Sequence, residues 1–370
     1  MKLAILTSSR ADYGIYYPLL KKLYNDKFFY PEIIAFGTHL SNKHGYTLNQ
    51  IIKDGFKVSY SIKTISKGDT PYDINNSITK TIKKFNTIWN NTKYDLIIVL
   101  GDRYEMFAAA LSAIPFNLPI AHIHGGEETK GAIDNVFRHS ISIMANIHFT
   151  ATELYKEKVI KLKGSKKNVF NVGALSIDNL KNMIFLSIEE FKTLYNIDLS
   201  KPSILFTFHP ETVSFEKNIL YIDEIIAALS ELTNKYQIII TMPNADTMGN
   251  MIRKKLQNFV KANANVYKVE SFGSQGYLSC MKYCTFMLGN TSSGFIEASF
   301  FPKKVINLGE RQKGRMVTPN IINTKINKND ILAAVEKVEH LNLNELDNIN
   351  IYGNGNTADK IIEKLKILFQ

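Results

Sequence analysis

The chain has 370 residues, of which 45% are hydrophobic and 21% charged, and this length is enough for two domains with separate cores. No apolar run approaches the ~20 residues that a membrane-spanning helix needs. The first strand-like run meets Thr7 and Arg10 too early for a secretory signal. Two cysteines are too few for a disulfide framework or a structural zinc site. We therefore predict a cytoplasmic protein without membrane contact.

The net charge of +11, from 45 Lys and Arg against 34 Asp and Glu, raises the possibility of nucleic-acid binding. The lysines, however, are scattered over segments such as Lys161–Lys167 without interleaved aromatic residues. This distribution favours a solvated surface that attracts anionic small molecules in general. We predict no nucleic-acid partner.

The first half of the chain alternates short apolar runs with segments of helical periodicity. Residues 55–73 are polar and weakly patterned, which predicts a loop region. The predicted strands are Lys2–Thr7, Glu32–Phe36, Leu96–Leu100, Pro119–His122, Ile147–Thr150 and Val169–Val172. The predicted helices are Ile15–Asn25, Asn75–Asn90, Tyr104–Ile114, one beginning at Asp134, and Glu153–Leu162.

After a relaxed stretch over Gly173–Ser200, the same alternation starts again. The predicted strands are Ser203–Phe208, Gln237–Thr241, Val266–Val269, Phe286–Leu288 and Lys304–Leu308. The predicted helices are Asn218–Tyr236, Met248–Asn263, Gln275–Cys284, one opened by Gly289–Gly294 and running through Ser299, Asp330–His340 and Thr357–Leu368. Such alternation predicts an α/β fold with parallel sheets. We expect two Rossmann-like domains, 1–175 and 176–355, facing across a cleft.

Acidic, basic and imidazole groups follow successive strands of the first domain. In open α/β sheets the carboxyl ends of the strands form the ligand-binding edge, so these groups are expected to gather there. Neighbouring carboxylates push their pKa values apart, which suits acid–base chemistry. Alternatively, Asp102 caps the helix that begins at Tyr104, with Glu105 as its partner. The predicted catalytic set is Asp102, His124, Glu127, Asp134 and Arg138.

The loop Gly289–Gly294 is the best candidate for an anion site in the second half. Backbone N–H groups and the hydroxyls of Thr291, Ser292 and Ser293 suit a diphosphate, although an ordinary serine N-cap is the alternative. Glu297 is placed to hold ribose hydroxyls or to complement the helix dipole. Neither G-x-G-x-x-G after the first strand nor a P-loop motif is present, which argues against a nicotinamide or flavin enzyme and against a P-loop NTPase.

In the order of its motifs the chain resembles the hydrolysing UDP-N-acetylglucosamine 2-epimerases of sialic-acid-type biosynthesis. The resemblance covers nearly the whole chain, and the ordered set is far more specific than any single motif. It implies a GT-B-like fold, a nucleotide held by the second domain, and a final helix over 356–370 that packs back on the first. Its carriers are Ser9–Tyr13, Gly37–Leu40, Gly101–Arg103, His122–Glu127, Gly131–Asp134, Arg138–His139, His209–Pro210, Pro243–Asp246, Gly289–Ser292 and Gly309–Gln312.

The implied reaction has two steps. A base removes the C2 proton of the sugar while UDP leaves C1, and water then adds to the resulting 2-acetamidoglucal to release N-acetylmannosamine. The resemblance gives Asp102 and Asp134 acid–base roles and implies no metal or redox cofactor; we expect a homodimer or homotetramer. The implied substrate-binding residues are Arg10, His39, Arg103, His209, Asn244, Thr291, Ser292, Ser293, Glu297 and Arg311.

One residue departs from the family pattern. Members of the sialic-acid pathway typically read H-I-E-G-G-E, with the first Glu catalytic, whereas this chain has His124 there. The surrounding residues look more like the branch for legionaminic-type sugars, which acts on UDP- or GDP-2,4-diacetamido-2,4,6-trideoxyhexoses. His124, Glu105 and Glu127 are the candidates to replace the missing Glu.

Three hypotheses follow, in decreasing order of support. The first is a hydrolysing sugar-nucleotide 2-epimerase that converts UDP-N-acetylglucosamine, or alternatively the trideoxyhexose nucleotide. The second is a GT-B glycosyltransferase, which the same fold and diphosphate loop would serve. The third is a binding protein without chemistry, for which affinity would fall steeply with salt.

Overall fold

The computed structural model describes residues 1–213, 215–243, 249–345 and 351–370. The chain divides into two compact units. Unit 1 comprises residues 1–127, 134–181 and 352–370, and unit 2 comprises 128–133 and 182–351. The division therefore falls after residue 181, whereas the sequence predicted it after 175, and the loop 128–133 belongs to unit 2.

Each unit is built on one parallel sheet. Unit 1 has seven strands in the order β3-β2-β1-β4-β5-β6-β7, and unit 2 has six in the order β10-β9-β8-β11-β12-β13. The predicted α/β class with two parallel sheets is confirmed. The strands are β1 Lys2–Thr7, β2 Tyr30–Ala35, β3 Val58–Ser61, β4 Leu96–Leu100, β5 Ile120–Ile123, β6 Ile147–Thr150, β7 Val169–Asn171, β8 Ser203–Thr207, β9 Gln237–Thr241, β10 Val266–Val269, β11 Phe286–Gly289, β12 Val305–Leu308 and β13 Ile321–Thr324.

Helices connect the strands, as parallel pairing requires. They are α1 Arg10–Asn25, α2 Leu48–Lys53, α3 Pro71–Asn91, α4 Tyr104–Ala113, α5 Asp134–Met144, α6 Glu153–Lys163, α7 Leu175–Asn182, α8 Ile188–Tyr195, α9 Asn218–Leu232, α10 Gly249–Ala262, α11 Gly273–Tyr283, α12 Glu297–Phe300, α13 Lys328–His340 and α14 Thr357–Phe369.

Two strands were not predicted. β3 and β13 each have four residues and lie at an edge of their sheet. Both are only partly buried, so neither carries the long apolar run that marks the central strands. The loop predicted over 55–73 therefore contains β3 and the start of α3, which opens at a Thr70–Asp73 capping box.

The two faces of the first sheet bury alternate residues of each strand, because successive side chains in a strand point to opposite sides. In β1, Leu3 and Ile5 join one hydrophobic cluster, whereas Ala4 and Leu6 join another. Helices cover both faces, which explains why the central strands read as continuous apolar runs.

The final helix, α14, belongs to unit 1. Its residues Ala358, Ile361 and Leu365 lie in the same cluster as β1. The Asp178 carboxylate accepts hydrogen bonds from the backbone N–H groups of Thr357 (2.9 Å) and Ala358 (2.7 Å). A distant carboxylate thus satisfies N–H groups that the first turn of a helix cannot pair internally.

Counted from its own first strand, each sheet runs 3-2-1-4-5-6, and the sheet of unit 1 adds a seventh strand after the sixth. The connections reverse direction between β1 and β4 in unit 1 and between β8 and β11 in unit 2. Ligands of such sheets bind beyond the carboxyl ends of the strands at this reversal.

Among the described residues, no helix is long and apolar enough to cross a membrane.

We expect Asp178→Ala to loosen α14. The substitution removes the acceptor for two amides, and loss of a helix cap costs about 0.5–2 kcal/mol. The matched control is Asp359→Ala, in the first turn of α14, which removes an exposed ion pair with Lys22. Such exposed pairs contribute about 0–1 kcal/mol. Amide hydrogen exchange along α14 measures both effects. Equal exchange in the two variants would contradict the capping role.

Candidate active site

The carboxyl ends of β4 and β5 and the start of α5 supply the predicted acid–base residues of unit 1. β4 ends at Leu100, and Gly101, with φ of +80°, turns the chain into Asp102. β5 ends at Ile123 and leads directly into His124. Asp134 is the first residue of α5, where its charge complements the helix dipole.

Arg138, one turn into α5, holds these ends together. Its side chain is only 3% exposed. Nη2 is paired with the Asp102 carboxylate, and Nη1 lies 3.3 Å from Glu127 Oε2 and donates to the His124 carbonyl at 2.9 Å. The planar guanidinium can serve several acceptors in fixed directions, so it orients both carboxylates.

His124 and Glu127 form a direct pair. His124 Nδ1 lies 2.6 Å from Glu127 Oε1, and the two residues are 5% and 1% exposed. His124 has a left-handed backbone, with φ of +65°, which is uncommon for a residue with a side chain. Its buried Nε2 has no hydrogen-bond partner among the described residues.

His122, on β5, is a site residue to which the sequence assigned no role. Its Nε2 lies 2.8 Å from the Gly101 carbonyl and its Nδ1 3.0 Å from Ser142 Oγ. Because a carbonyl only accepts, Nε2 carries the proton and Nδ1 accepts from Ser142. Burial lowers the pKa of His122 to about 3, against the opposing effect of the bond to Gly101. His122 is thus a neutral tie between the ends of β4 and β5.

The two glycines after His124 are required by space. A Cβ at Gly125 would lie 2.9 Å from Ser142 Oγ. A Cβ at Gly126, where φ is +79°, would lie 2.3 Å from the Tyr155 carbonyl oxygen of α6. The loop can therefore reach Glu127 only with glycine at these positions.

Arg103 and Glu105 pair with each other. Arg103 donates through Nη2 to Glu105 Oε1 at 3.0 Å and through Nε to Oε2 at 3.2 Å. Glu105 is fully buried. The pairing makes Glu105 a support for Arg103, the predicted substrate-binding residue.

His39 is enclosed within unit 1. It is fully buried, with Nε2 2.9 Å from Thr7 Oγ1 and Nδ1 2.8 Å from Thr47 Oγ1. Thr7 in turn donates to Asp12 at 2.5 Å. Burial opposes ionisation of Asp12, but hydrogen bonds and the charge interaction with His39 hold its pKa below the ordinary value. These contacts indicate that His39 supports the β1–α1 loop, which carries Arg10 at the first position of α1.

In unit 2 the strand ends at the reversal are joined by Asn290. Its side chain accepts from His209 N–H and donates to the His209 carbonyl, both at 2.8 Å. Just before it, Gly289 has φ of +147°, and a Cβ there would lie 1.8 Å from the Thr207 carbonyl oxygen. β8 and β11 therefore approach too closely for any other residue at 289, and the predicted His209 is held at this junction.

The loop Gly289–Gly294, which carries the hydroxyls of Thr291, Ser292 and Ser293 and is called the hydroxyl loop below, includes Asn290 of this junction. Ser293 Oγ is 2.6 Å from Tyr277 Oη and 3.2 Å from Thr291 Oγ1, and Ser292 begins a 3-10 turn that ends at Gly294. The predicted helix through Ser299 is wrong in extent, because α12 is a single turn that begins at Glu297. A diphosphate would therefore be recognised by hydroxyls and loop N–H groups, with little contribution from a helix dipole.

Glu211 is a second residue that the sequence did not single out, although it directly follows His209-Pro210. Its carboxylate accepts from Glu310 N–H at 2.7 Å. Burial raises the pKa of Glu211, while the backbone N–H groups of Glu310 and Arg311 act in the opposite direction. Gln312 donates to the Asn290 carbonyl at 2.8 Å. Together these contacts hold the turn that carries Arg311.

The loop 128–133 packs on the same turn within unit 2. Lys130 N–H donates to the Lys313 carbonyl at 2.9 Å, and a Cβ at Gly131 would lie 2.5 Å from the Glu310 carbonyl oxygen. Glu127 and Asp134, the residues on either side of this loop, belong to unit 1.

The predicted Asn244 lies outside the described residues. Within the described ranges, no group of three or more His, Cys, Asp or Glu could hold a metal ion.

Comparison with known proteins identifies the family. The model of the UDP-N-acetylglucosamine 2-epimerase family matches residues 21–366. The chain belongs to this family. The predicted resemblance is thereby confirmed.

Two relatives and one solved structure illustrate the match. A Campylobacter jejuni GDP/UDP-N,N'-diacetylbacillosamine 2-epimerase (hydrolyzing) is 38% identical over 91% of this chain and 87% of that protein. The Escherichia coli polysialic acid biosynthesis protein P7 is 35% identical over 90% of this chain and 85% of that protein. The crystal structure of Neisseria meningitidis UDP-GlcNAc 2-epimerase bound to UDP-GlcNAc is 19% identical, covers 99% of this chain and 100% of that one, and has a TM-score of 0.84. This likeness confirms the predicted GT-B-like fold class.

We expect His122→Gln to flatten the acid dependence of stability. The unfolded protein takes up a proton at His122 near pH 6.5, whereas the folded protein does so only near pH 3. The free energy of unfolding therefore falls between these values as pH is lowered, by up to about 1.4 kcal/mol per pH unit for this group. Denaturant unfolding between pH 7 and 4.5 measures the slope. A variant with the wild-type slope would show that His122 is not buried in its neutral form.

Gly126→Ala is expected to disrupt the loop more than Gly164→Ala does. Both glycines have positive φ, but a Cβ at Gly164 has open space, whereas one at Gly126 meets the Tyr155 carbonyl. The left-handed backbone alone costs roughly 1–2 kcal/mol, and overpacking adds about 1–3 kcal/mol at Gly126. Denaturant unfolding of the two variants isolates the steric part. Equal losses of stability would contradict the close approach.

Proposed function

We propose that this chain is a hydrolysing sugar-nucleotide 2-epimerase, with the buried Arg138 cluster as its acid–base centre. The observation that carries the proposal is that cluster. A histidine and two carboxylates are held by one guanidinium at the carboxyl ends of β4 and β5, in a chain that matches the epimerase family over 21–366.

The proposed reaction begins with elimination. The C2–H bond breaks, its electron pair forms the C1=C2 double bond, and the C1–O bond breaks with its electrons on the departing nucleoside diphosphate. Hydration follows, with hydroxyl from water at C1 and a proton at C2 on the face opposite to the one first deprotonated. The products are the free C2-epimer and a nucleoside diphosphate, and the net reaction consumes one water.

Residues of the two units take different parts in this proposal. In unit 1, Asp102, His124 and Asp134 exchange protons with the sugar, while Arg138 orients Asp102 and Glu127. In unit 2, the hydroxyl loop and the turn of Arg311 bind the diphosphate. Stabilising the leaving group supplies much of the barrier reduction, because the C2 proton is only weakly acidic. The proposed nucleotide-binding residues are Arg10, His209, Asn244, Thr291, Ser292, Ser293, Glu297 and Arg311.

As substrate we propose a UDP- or GDP-2,4-diacetamido-2,4,6-trideoxyhexose. The relative that is 38% identical is named for diacetylbacillosamine, a sugar of this type, and His124 departs from the pattern of the sialic-acid enzymes. UDP-N-acetylglucosamine, with N-acetylmannosamine as product, is the second candidate. It is favoured by the 35% identity to a polysialic acid biosynthesis protein.

Proton NMR in deuterated buffer tests the reaction and the substrate together. Parallel samples contain UDP-N-acetylglucosamine and the UDP and GDP forms of the diacetamido-trideoxyhexose. We expect a free sugar with deuterium at C2, formed fastest from a trideoxyhexose nucleotide. A product that keeps its nucleotide would indicate a non-hydrolysing epimerase. Silence in every sample would end the epimerase proposal, and transfer to added acceptors would then test a glycosyltransferase.

We expect Asp102→Asn to abolish most activity while leaving the chain folded. The amide keeps the size of the side chain but removes a charge from the cluster, and loss of an acid–base group costs about 10²–10⁴-fold in kcat. Asp359→Asn, at an exposed carboxylate of α14, is the control and should retain full activity. Steady-state rates and thermal unfolding are measured for both. Wild-type kcat in Asp102→Asn would remove Asp102 from the catalytic set.

A further inference from the structure

We propose that His124 Nε2 is the atom that removes the C2 proton, and that Glu127 is a positioning residue that acts through His124 Nδ1. This inference rests on the proposed epimerase function and assigns its first proton transfer to one atom. Elimination then moves the proton from C2 to Nε2, leaves an imidazolium, and releases the nucleoside diphosphate from C1.

The hydrogen bonds determine the tautomer. An ionised carboxylate only accepts, so the 2.6 Å contact between Nδ1 and Glu127 Oε1 requires the proton on Nδ1. The other carboxylate oxygen of Glu127 lies 3.3 Å from Arg138 Nη1. Nε2 is consequently the nitrogen with the lone pair, which is what a general base needs.

Nε2 is buried and has no hydrogen-bond partner among the described residues. Leaving a buried polar atom unpaired is unfavourable, so native proteins pair nearly all of them. His122 provides the contrast on the same strand, since both of its ring nitrogens are occupied. With Nδ1 held by the Glu127 carboxylate, the unpaired Nε2 of His124 offers a lone pair that could accept a substrate proton.

The backbone holds the ring in place despite an unfavourable conformation. His124 has φ of +65°, a left-handed region that only a few per cent of residues with a side chain adopt, although Asn, Asp and His are enriched there. Its N–H donates to the Phe149 carbonyl at 2.9 Å, and its carbonyl accepts from Arg138 at 2.9 Å. Because such strain is retained only where the surroundings enforce it, the fixed contacts on both sides of His124 support a functional position for its ring.

An imidazolium at His124 would balance the formal charge of the groups around it. With Asp102 and Glu127 ionised and Arg138 protonated, the cluster carries a formal charge of −1, and an imidazolium at His124 makes it neutral. His122, which also lies near His124, stays uncharged because burial lowers its pKa to about 3. The proton that reaches C2 in the second step comes from the opposite face, so another acid, Asp102 or Asp134, must supply it.

The test uses two variants at position 124 that tolerate the left-handed backbone. His124→Gly needs no strain at positive φ and leaves a cavity shaped like the ring, whereas His124→Asn tolerates that φ but fills part of the cavity. We expect both to lose about 10²–10⁴-fold in kcat, as for removal of a general base. Added imidazole should restore His124→Gly at least 10-fold and restore His124→Asn much less. His340→Gln, an exposed histidine at the end of α13, should keep wild-type activity.

Glu127→Gln tests the positioning role. We expect KM to change little and kcat to fall by between about 10- and 10⁴-fold, the upper value being that of an orienting carboxylate behind a catalytic histidine. The acid limb of the kcat/KM profile should move to lower pH, because the imidazolium loses its carboxylate partner, and Glu127→Asp should restore part of the rate. A purely structural Glu127 would change the thermal unfolding temperature without moving this limb.

Nitrogen-15 NMR of histidine-labelled wild-type protein gives a readout that does not depend on turnover. We expect His124 to be protonated at Nδ1. A proton on Nε2, or an unchanged acid limb together with less than a 10-fold loss of kcat in the folded His124 variants, would overturn the inference. If the wild-type protein turns over none of the sugar nucleotides, the proposed function fails, and the NMR tautomer still decides whether the dyad exists.

Discussion

The buried guanidinium of Arg138 determines how the carboxyl ends of β4 and β5 are arranged. It contacts the Asp102 carboxylate, the Glu127 carboxylate and the His124 carbonyl. Two neighbouring carboxylates repel each other, and burial costs Glu127 its hydration; a cation that contacts both carboxylates offsets these effects. Arg138 is thus the residue of α5 that stabilises the left-handed backbone at His124, through the His124 carbonyl, and the position of the Glu127 carboxylate, which contacts the His124 ring.

In both units a side chain forms hydrogen bonds between the ends of the two strands at which the strand order reverses. Adjacent parallel strands end there, and their last backbone groups lose the sheet ladder. In unit 1, the His122 side chain reaches from β5 to the carbonyl of Gly101 after β4. In unit 2, the Asn290 side chain pairs with the backbone of His209 in both directions. A buried polar side chain thus replaces the missing ladder bonds and keeps the loops that follow in fixed positions.

Much of the architecture was predictable, because central parallel strands are buried on both faces and read as apolar runs. The edge strands β3 and β13 were missed because burial on an edge is partial and each has only four residues. Helix starts also moved: α1 begins at Arg10 instead of Ile15, since the Ser9–Asp12 capping box pairs the first amides. Local capping therefore decided boundaries that periodicity alone placed too late.

For the candidate site, the sequence predicted which strand ends bring polar side chains together but not how these side chains pair. Residue type does not reveal that Glu105 is used by Arg103, or that His39 has both ring nitrogens occupied inside unit 1. Glu211 and His122 act by holding backbone groups. The signals for them in the sequence were the place of Glu211 directly after His209-Pro210 and the place of His122 within the motif His122–Glu127. Pairing depends on loop paths, which the close approaches at Gly126 and Gly289 restrict and which periodicity does not report.

The docking of α14 has a consequence for how the chain folds during synthesis. Unit 1 contains both the earliest and the latest residues of this sequence, since Leu3 and Leu365 share one hydrophobic cluster. Domains usually fold in the order in which they leave the ribosome. Here the sheet of unit 1 emerges early but cannot complete its core until all of unit 2 has been translated. Docking of α14 is therefore a late step, and until unit 2 has been translated the hydrophobic cluster that contains Leu3 lacks Ala358, Ile361 and Leu365.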